Sequence, residues 1–148
     1  MKRIALAFGL LTVLLLNLNA ATGPQKASND QAAIRATVTG YIESYFTSDP
    51  ARMEKSLHPH YLKHTISGAD GALRMTEKTS LQMIEDVRSG KPAGVPASER
   101  KAQITVLDVT GDIASAKLVT PHWVDYLALA KWNGEWKIVS VVLRENGL

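Results

Sequence analysis

The dipeptide Asn133-Gly134 constrains this chain more than any other pair of residues in it. Both central positions of a type I′ turn need positive φ, which asparagine and glycine adopt at least cost, and β-branched and aromatic residues flank the pair on both sides. Residues 122–132 and 135–143 therefore read as the arms of a long β-hairpin. Counting outward from a two-residue turn pairs Trp132 with Glu135, Lys131 with Trp136, Leu129 with Ile138, Leu127 with Ser140 and Asp125 with Val142. One face then carries Trp136, Ile138, Leu129, Leu127 and Val142, and Asp125 and Trp123 continue it at the end away from the turn. An acid and an indole that prolong an apolar face mark the opening of a pocket.

The N-terminus has a different pattern. Lys2 and Arg3 precede an apolar run over residues 4–16, and small residues follow around Ala20 and Ala21. This is the layout of a signal peptide, and the run is shorter than the roughly 20 residues needed to cross a bilayer. The expected division is a signal over 1–20, a short linker over 21–29 and one domain over 30–148, located in the periplasm or secreted. Cleavage lowers the formal charge from +3 to +1, because Lys2 and Arg3 leave with the signal. No basic stripe remains for nucleic acid, and no membrane segment is expected after cleavage. The absence of cysteine excludes a disulfide scaffold, a catalytic thiol and a thiolate-bound metal.

Three helices are expected before the β-rich half. Ser28 and Gln31 have capping-box spacing, and Ile34, Val38, Tyr41, Ile42, Tyr45 and Phe46 follow on one stripe. Gly40 in that stripe calls for a close packing partner. Asp49-Pro50 caps a second, short helix with Met53 and Leu57 on its inner side, and Pro59 ends it. Residues 61–66 alternate as a strand, with Leu62, His64 and Ile66 on one side and Tyr61, Lys63 and Thr65 on the other. Residues 67–71 read as a loop. Thr76 is the expected cap of a third helix with Met83, Ile84 and Val87 inside, stopped by Gly90 and Pro92. A hairpin over 102–109 and 113–119 precedes the Asn-Gly hairpin. Helices followed by hairpins define an α+β domain with an antiparallel sheet curled around the helices.

Several side chains could carry chemistry. Tyr41 and Tyr45 lie one helical turn apart, so both hydroxyls can enter the space under the sheet. Trp123 can stack on a planar ligand. Asp125, on the inner face, needs a partner, water or a raised pKa, and Arg144 and Lys63 are the salt-bridge partners to be weighed. His58, His60 and His64 share a parity, but Pro59 interrupts them and no metal or cofactor site is expected. The expected ligand-binding set is Tyr41, Tyr45, His58, His64, Trp123 and Asp125. An apolar outer sheet face carrying Ile104, Val106, Val139 and Val141 predicts a two-fold homodimer.

Four stretches, AAIRATVTGYIESYFTSD, MEKSLHP, ITVLDVTGDIASAKL and WVDYLALAKWNGEWKIVSVV, together resemble the putative lumazine-binding family. That family belongs to the superfamily of nuclear transport factor 2, ketosteroid isomerase and the polyketide cyclases. The resemblance spans about residues 30–143. It implies a cone-shaped α+β barrel, with three N-terminal helices on a curved antiparallel sheet and a pocket between them. It also places Tyr41 where the isomerases hold the substrate oxygen. The isomerases' general-base carboxylate would fall near His64 and Thr65, so His64 would have to serve as base. The function this implies is an exported domain that binds a small molecule. Two alternatives stand beside it: an isomerase- or cyclase-like enzyme using Tyr41, His64 and Asp125, and a dimeric assembly module without chemistry.

Overall fold

The computed structural model describes residues 24–69, 72–91 and 95–146; the proposed signal and residues 21–23 of the proposed linker lie outside them, while residues 24–29, expected as linker, form the start of the first helix. Three helices pack on one six-stranded sheet that is curved and unclosed. The elements are α1 (Pro24–Thr47), α2 (Pro50–Ser56), β1 (Leu57–Ser67), β2 (Arg74–Thr79), α3 (Ser80–Arg88), a 3-10 turn at Ala97–Glu99, β3 (Gln103–Thr110), β4 (Ile113–Val119), β5 (Trp123–Trp132) and β6 (Glu135–Glu145). The strand order is β2-β1-β6-β5-β4-β3. The sheet is mixed rather than antiparallel throughout, because β1 runs parallel to β6 while every other pair is antiparallel. Strand β2, helix α3 and the 3-10 turn separate the first strand from the hairpins, and the last strand returns beside it.

Helix α1 buries the expected stripe of Ile34, Val38, Tyr41, Ile42 and Phe46. It begins at Pro24, so Ser28 lies inside the helix and does not start it. At Gly40, a Cβ would come within 2.8 Å of the Ser56 hydroxyl, which is why this helix tolerates glycine where α2 crosses it. Asp49 caps α2 by accepting from the Arg52 amide, as the Asp-Pro pair requires. Strand β1 takes over directly at Leu57, so Pro59 lies within the strand and the helix has already ended.

The third helix starts later than expected. Its cap is Thr79, whose hydroxyl accepts from Gln82 N while the Gln82 side chain accepts from Thr79 N, a complete capping box. Thr76 belongs instead to β2, an edge strand with all six residues exposed and therefore without apolar alternation.

The Asn-Gly turn forms as expected, with φ of 51° at Asn133 and 83° at Gly134. Trp132 pairs with Glu135, Lys131 with Trp136 and Leu129 with Ile138. Beyond that point β6 carries one extra residue, Val139, so Leu127 pairs with Val141 and Asp125 with Leu143. The bulge turns Val141 and Leu143 inward and leaves Val142 outside, reversing the expected places of Val141 and Val142. Ile104 and Val106 are half-buried against the core rather than forming an outer patch. Because the extra residue lies on β6, β5 keeps its own alternation, and Asp125, Leu127 and Leu129 all face inward.

Candidate functional site

A cavity of about 320 Å³ opens between the helices and one end of the sheet. Helix α1 contributes Tyr41, Ile42 and Tyr45, and α3 contributes Met83 and Asp86. From the sheet come Lys63 and Thr65 of β1, Thr76 and Lys78 of β2, Trp123 of β5, and Leu143 and Glu145 of β6; Lys91 completes the rim. The far end of the hairpin is closed by Trp136, whose indole N–H donates to Asp30 at 3.0 Å.

The inner side of β1 is the one with Tyr61, Lys63 and Thr65. In the parallel register Lys63 stands beside the buried Val141, while His64 stands beside the exposed Val142. His64 is therefore on the outer side of the sheet, its Nε2 3.2 Å from Glu77 of β2, away from the cavity. His58 is also away from it, edge-on to Trp132 with ring centroids 4.9 Å apart. The proposed base and one proposed contact thus lie outside the cavity, because β1 turns Tyr61 and Lys63 to the buried side and Leu62, His64 and Ile66 to the other.

The cavity floor is polar. Asp125 is 0 % exposed and Lys63 8 %. Lys63 Nζ donates to the Tyr41 hydroxyl at 3.0 Å and lies 3.7 Å from Asp125 Oδ1. Asp125 Oδ2 accepts from the Trp123 indole N–H at 3.2 Å, while Oδ1 has no hydrogen-bond partner. The Tyr61 hydroxyl, buried close to this group, also lacks one. Arg144 is directed elsewhere, to the carbonyl of Gly68 at 2.9 Å, so Lys63 is the cation that faces Asp125.

Burial dominates the electrostatics of this floor. It raises the Asp125 carboxyl above its ordinary value, against the opposing pull of Lys63 and Trp123. It lowers the Lys63 ammonium, against the opposing pull of Asp125. It drives the Tyr41 hydroxyl well up, with Tyr61 and Asp125 adding to the effect. All three groups are pushed toward their neutral forms.

The walls and rim differ from the floor. The Tyr45 and Trp123 rings meet edge to face with centroids 5.6 Å apart. Asp86 is ion-paired with both Lys78 and Lys91. Burial raises the Asp86 carboxyl, but the hydrogen bonds from the two lysines outweigh that and hold it below the usual range. Tyr41, Tyr45 and Trp123 therefore line the cavity, with Asp125 directly behind Lys63. Lys63 itself was visible in the sequence only as a salt-bridge partner. Asp86, Lys78 and Lys91 gave no signal, since charges on an exposed edge strand and a short helix resemble any solvated surface. Among the described residues, no group of three or more histidine, aspartate or glutamate side chains is placed to hold a metal ion.

Three helices packed on one curved, unclosed, six-stranded mixed sheet give this chain the nuclear transport factor 2-like fold. Residues 29–144 match the family described as "Putative lumazine-binding", and the chain belongs to that family. A nuclear transport factor 2-like protein of unknown function from Silicibacter pomeroyi is 21% identical, covering 81% of this chain and 98% of its own, with a TM-score of 0.61. Another, from Shewanella baltica, is 18% identical, covering 82% of this chain and 97% of its own, with a TM-score of 0.64. A ketosteroid isomerase-like protein from Erwinia carotovora atroseptica is 11% identical, covering 79% of this chain and 96% of its own, with a TM-score of 0.55. These likenesses establish the fold. No curated protein matches the sequence.

Proposed function

We infer that this is an exported domain that binds a small, partly planar organic molecule in the cavity over Lys63 and Asp125. The observation that carries this reading is the floor itself. A carboxylate with no exposure and one unpartnered oxygen, a buried ammonium beside it and two tyrosines are costly to enclose, and an apolar core of the same volume would be at least as stable. Polar groups so arranged beneath edge-to-face aromatic walls fit the orientation of a ligand with polar and flat parts. Family membership supports a small-molecule ligand. The basic-then-apolar start of the sequence supports export.

The reading is tested by titrating ¹⁵N-labelled protein with small-molecule fractions from the source organism's envelope. Shifts confined to Tyr41, Tyr45, Lys63, Thr65 and Trp123 are expected. Shifts centred on His58 or His64, with the cavity residues unmoved, would overturn it.

A homodimer is the second reading, favoured by one observation. Tyr126 and Val142 are paired neighbours on the outer face of the sheet and are 53 % and 45 % exposed, with Ile113 exposed further along it at 64 %. A second copy related by a two-fold axis would cover this apolar strip.

A further inference from the structure

Lys63 differs from the other lysines at the cavity. Lys78 and Lys91 form ion pairs with Asp86 at the rim, with side chains 47% and 70% exposed. The Lys63 side chain is 10% exposed, lines the cavity from its floor, and shares its immediate surroundings with a carboxyl and a phenol. The contact to Asp125 is long at 3.7 Å, and the unpartnered Asp125 oxygen is the one nearest the amine. A structural salt bridge would close that gap and satisfy that oxygen. The arrangement leaves space at the amine and an unused proton-carrying atom beside it.

We propose that Lys63 is a carbonyl-capturing nucleophile, forming a reversible Schiff base with an aromatic aldehyde or ketone seated in the cavity against the Tyr45 and Trp123 rings. The proposal deepens the ligand-binding reading above and rests on it. Burial lowers the Lys63 ammonium and raises the Asp125 carboxyl, which favours passing the shared proton to the carboxyl; the reacting form is then a free amine next to a carboxylic acid. The amine lone pair forms the C–N bond while the carbonyl π electrons move to oxygen. One amine proton is relayed to that oxygen, giving a neutral carbinolamine. The Asp125 proton then protonates its hydroxyl, the C–O bond breaks and water leaves. The products are a protonated imine on Lys63 and a carboxylate on Asp125, paired with each other. No oxidant or reductant is consumed. The Tyr41 hydroxyl, already within hydrogen-bond distance of Nζ, orients the amine and can bridge the proton to the oxygen.

The test uses the folded mature protein with 6-methoxy-2-naphthaldehyde and sodium cyanoborohydride, which reduces any imine to a stable amine, followed by peptide mapping. The matched naphthyl methanol, which cannot form an imine, is titrated in parallel by ¹⁵N shift mapping. A single adduct on Lys63 is expected, absent in Lys63→Met, with trapping slowed on the order of a hundredfold in Asp125→Asn. The mapping of the wild-type adduct decides the matter even if Lys63→Met fails to fold. Labelling of Lys78, Lys91 or other exposed lysines with Lys63 unmodified, while the alcohol still shifts Tyr41 and Tyr45, would overturn the Schiff-base proposal and leave the cavity reading standing. If neither probe touched the cavity, both would fall.

Discussion

The Lys63 ammonium lies 3.7 Å from Asp125 Oδ1, within reach of a charge and outside the reach of a hydrogen bond. Both groups are buried, one on β1 and the other on β5, with β6 between them. The pair thus ties together strands that do not touch, and its energetics can be separated from those of the fold.

Removing either partner alone leaves the other buried without compensation. Lys63→Met and Asp125→Leu are each expected to cost about 3 kcal/mol, and the double variant is expected to recover most of that loss. Urea unfolding of the four proteins gives the coupling directly. Additive losses would show that the two groups do not interact.

Asp30 predicts an acid-side loss of stability. It accepts from Lys131 at 2.6 Å and from Trp136 at 3.0 Å, tying α1 to the Asn-Gly hairpin, and the Lys131 hydrogen bond is the largest cause holding its carboxyl below the ordinary value of 3.8. A lowered native pKa means that the contribution is fully present above the unfolded value and is lost as pH falls through the native one. Urea midpoints measured from about pH 5 to about pH 3 should fall more steeply in the wild type than in Asp30→Asn. Equal slopes would remove Asp30 as the cause.

Gly134 sits at φ 83° in the hairpin turn, with open space around an added Cβ. Gly134→Ala therefore meets only backbone strain, expected at about 1 kcal/mol, and should leave ligand binding unchanged. A larger loss together with altered binding would mean that the turn controls the register of the whole hairpin, including Asp125.

The outer strip predicts association. Analytical ultracentrifugation at tens of micromolar should give twice the chain mass, and Tyr126→Glu should return it to one. Wild-type protein sedimenting as a single chain would count against the homodimer.

Much of this architecture was legible in the sequence, for reasons that specific residues make plain. The Asn-Gly turn, the Asp49-Pro50 cap and the α1 stripe each rest on local chemistry, and each formed. Edge strand β2 did not show because all six of its residues face solvent and carry no apolar alternation. The bulge at Val139 did not show because turn counting carries no information about an inserted residue six positions away. Asp125 kept its inward position because its own strand is regular. Alternation over residues 61–66 gives two faces without saying which is buried, and the structure buries the face of Tyr61 and Lys63 and leaves His64 on the other. A charge expected inside the sheet, matched by an opposite charge two strands over, was the available signal for Lys63.

Export has its own measurement. N-terminal sequencing of the mature protein should begin near residues 21–23, as the small residues after the apolar run indicate. Mature protein beginning at Met1 or Lys2 would contradict it.

Native mass spectrometry of the protein purified from its own source would show whether the cavity over Lys63 and Asp125 holds a small molecule. Wild-type protein is expected to carry one additional small-molecule mass per chain. That mass should be absent from Thr65→Trp, which fills the cavity from β1 while circular dichroism shows the fold intact. A wild-type chain at its bare mass, or an added mass that persists in folded Thr65→Trp, would mean that this cavity is not a ligand site.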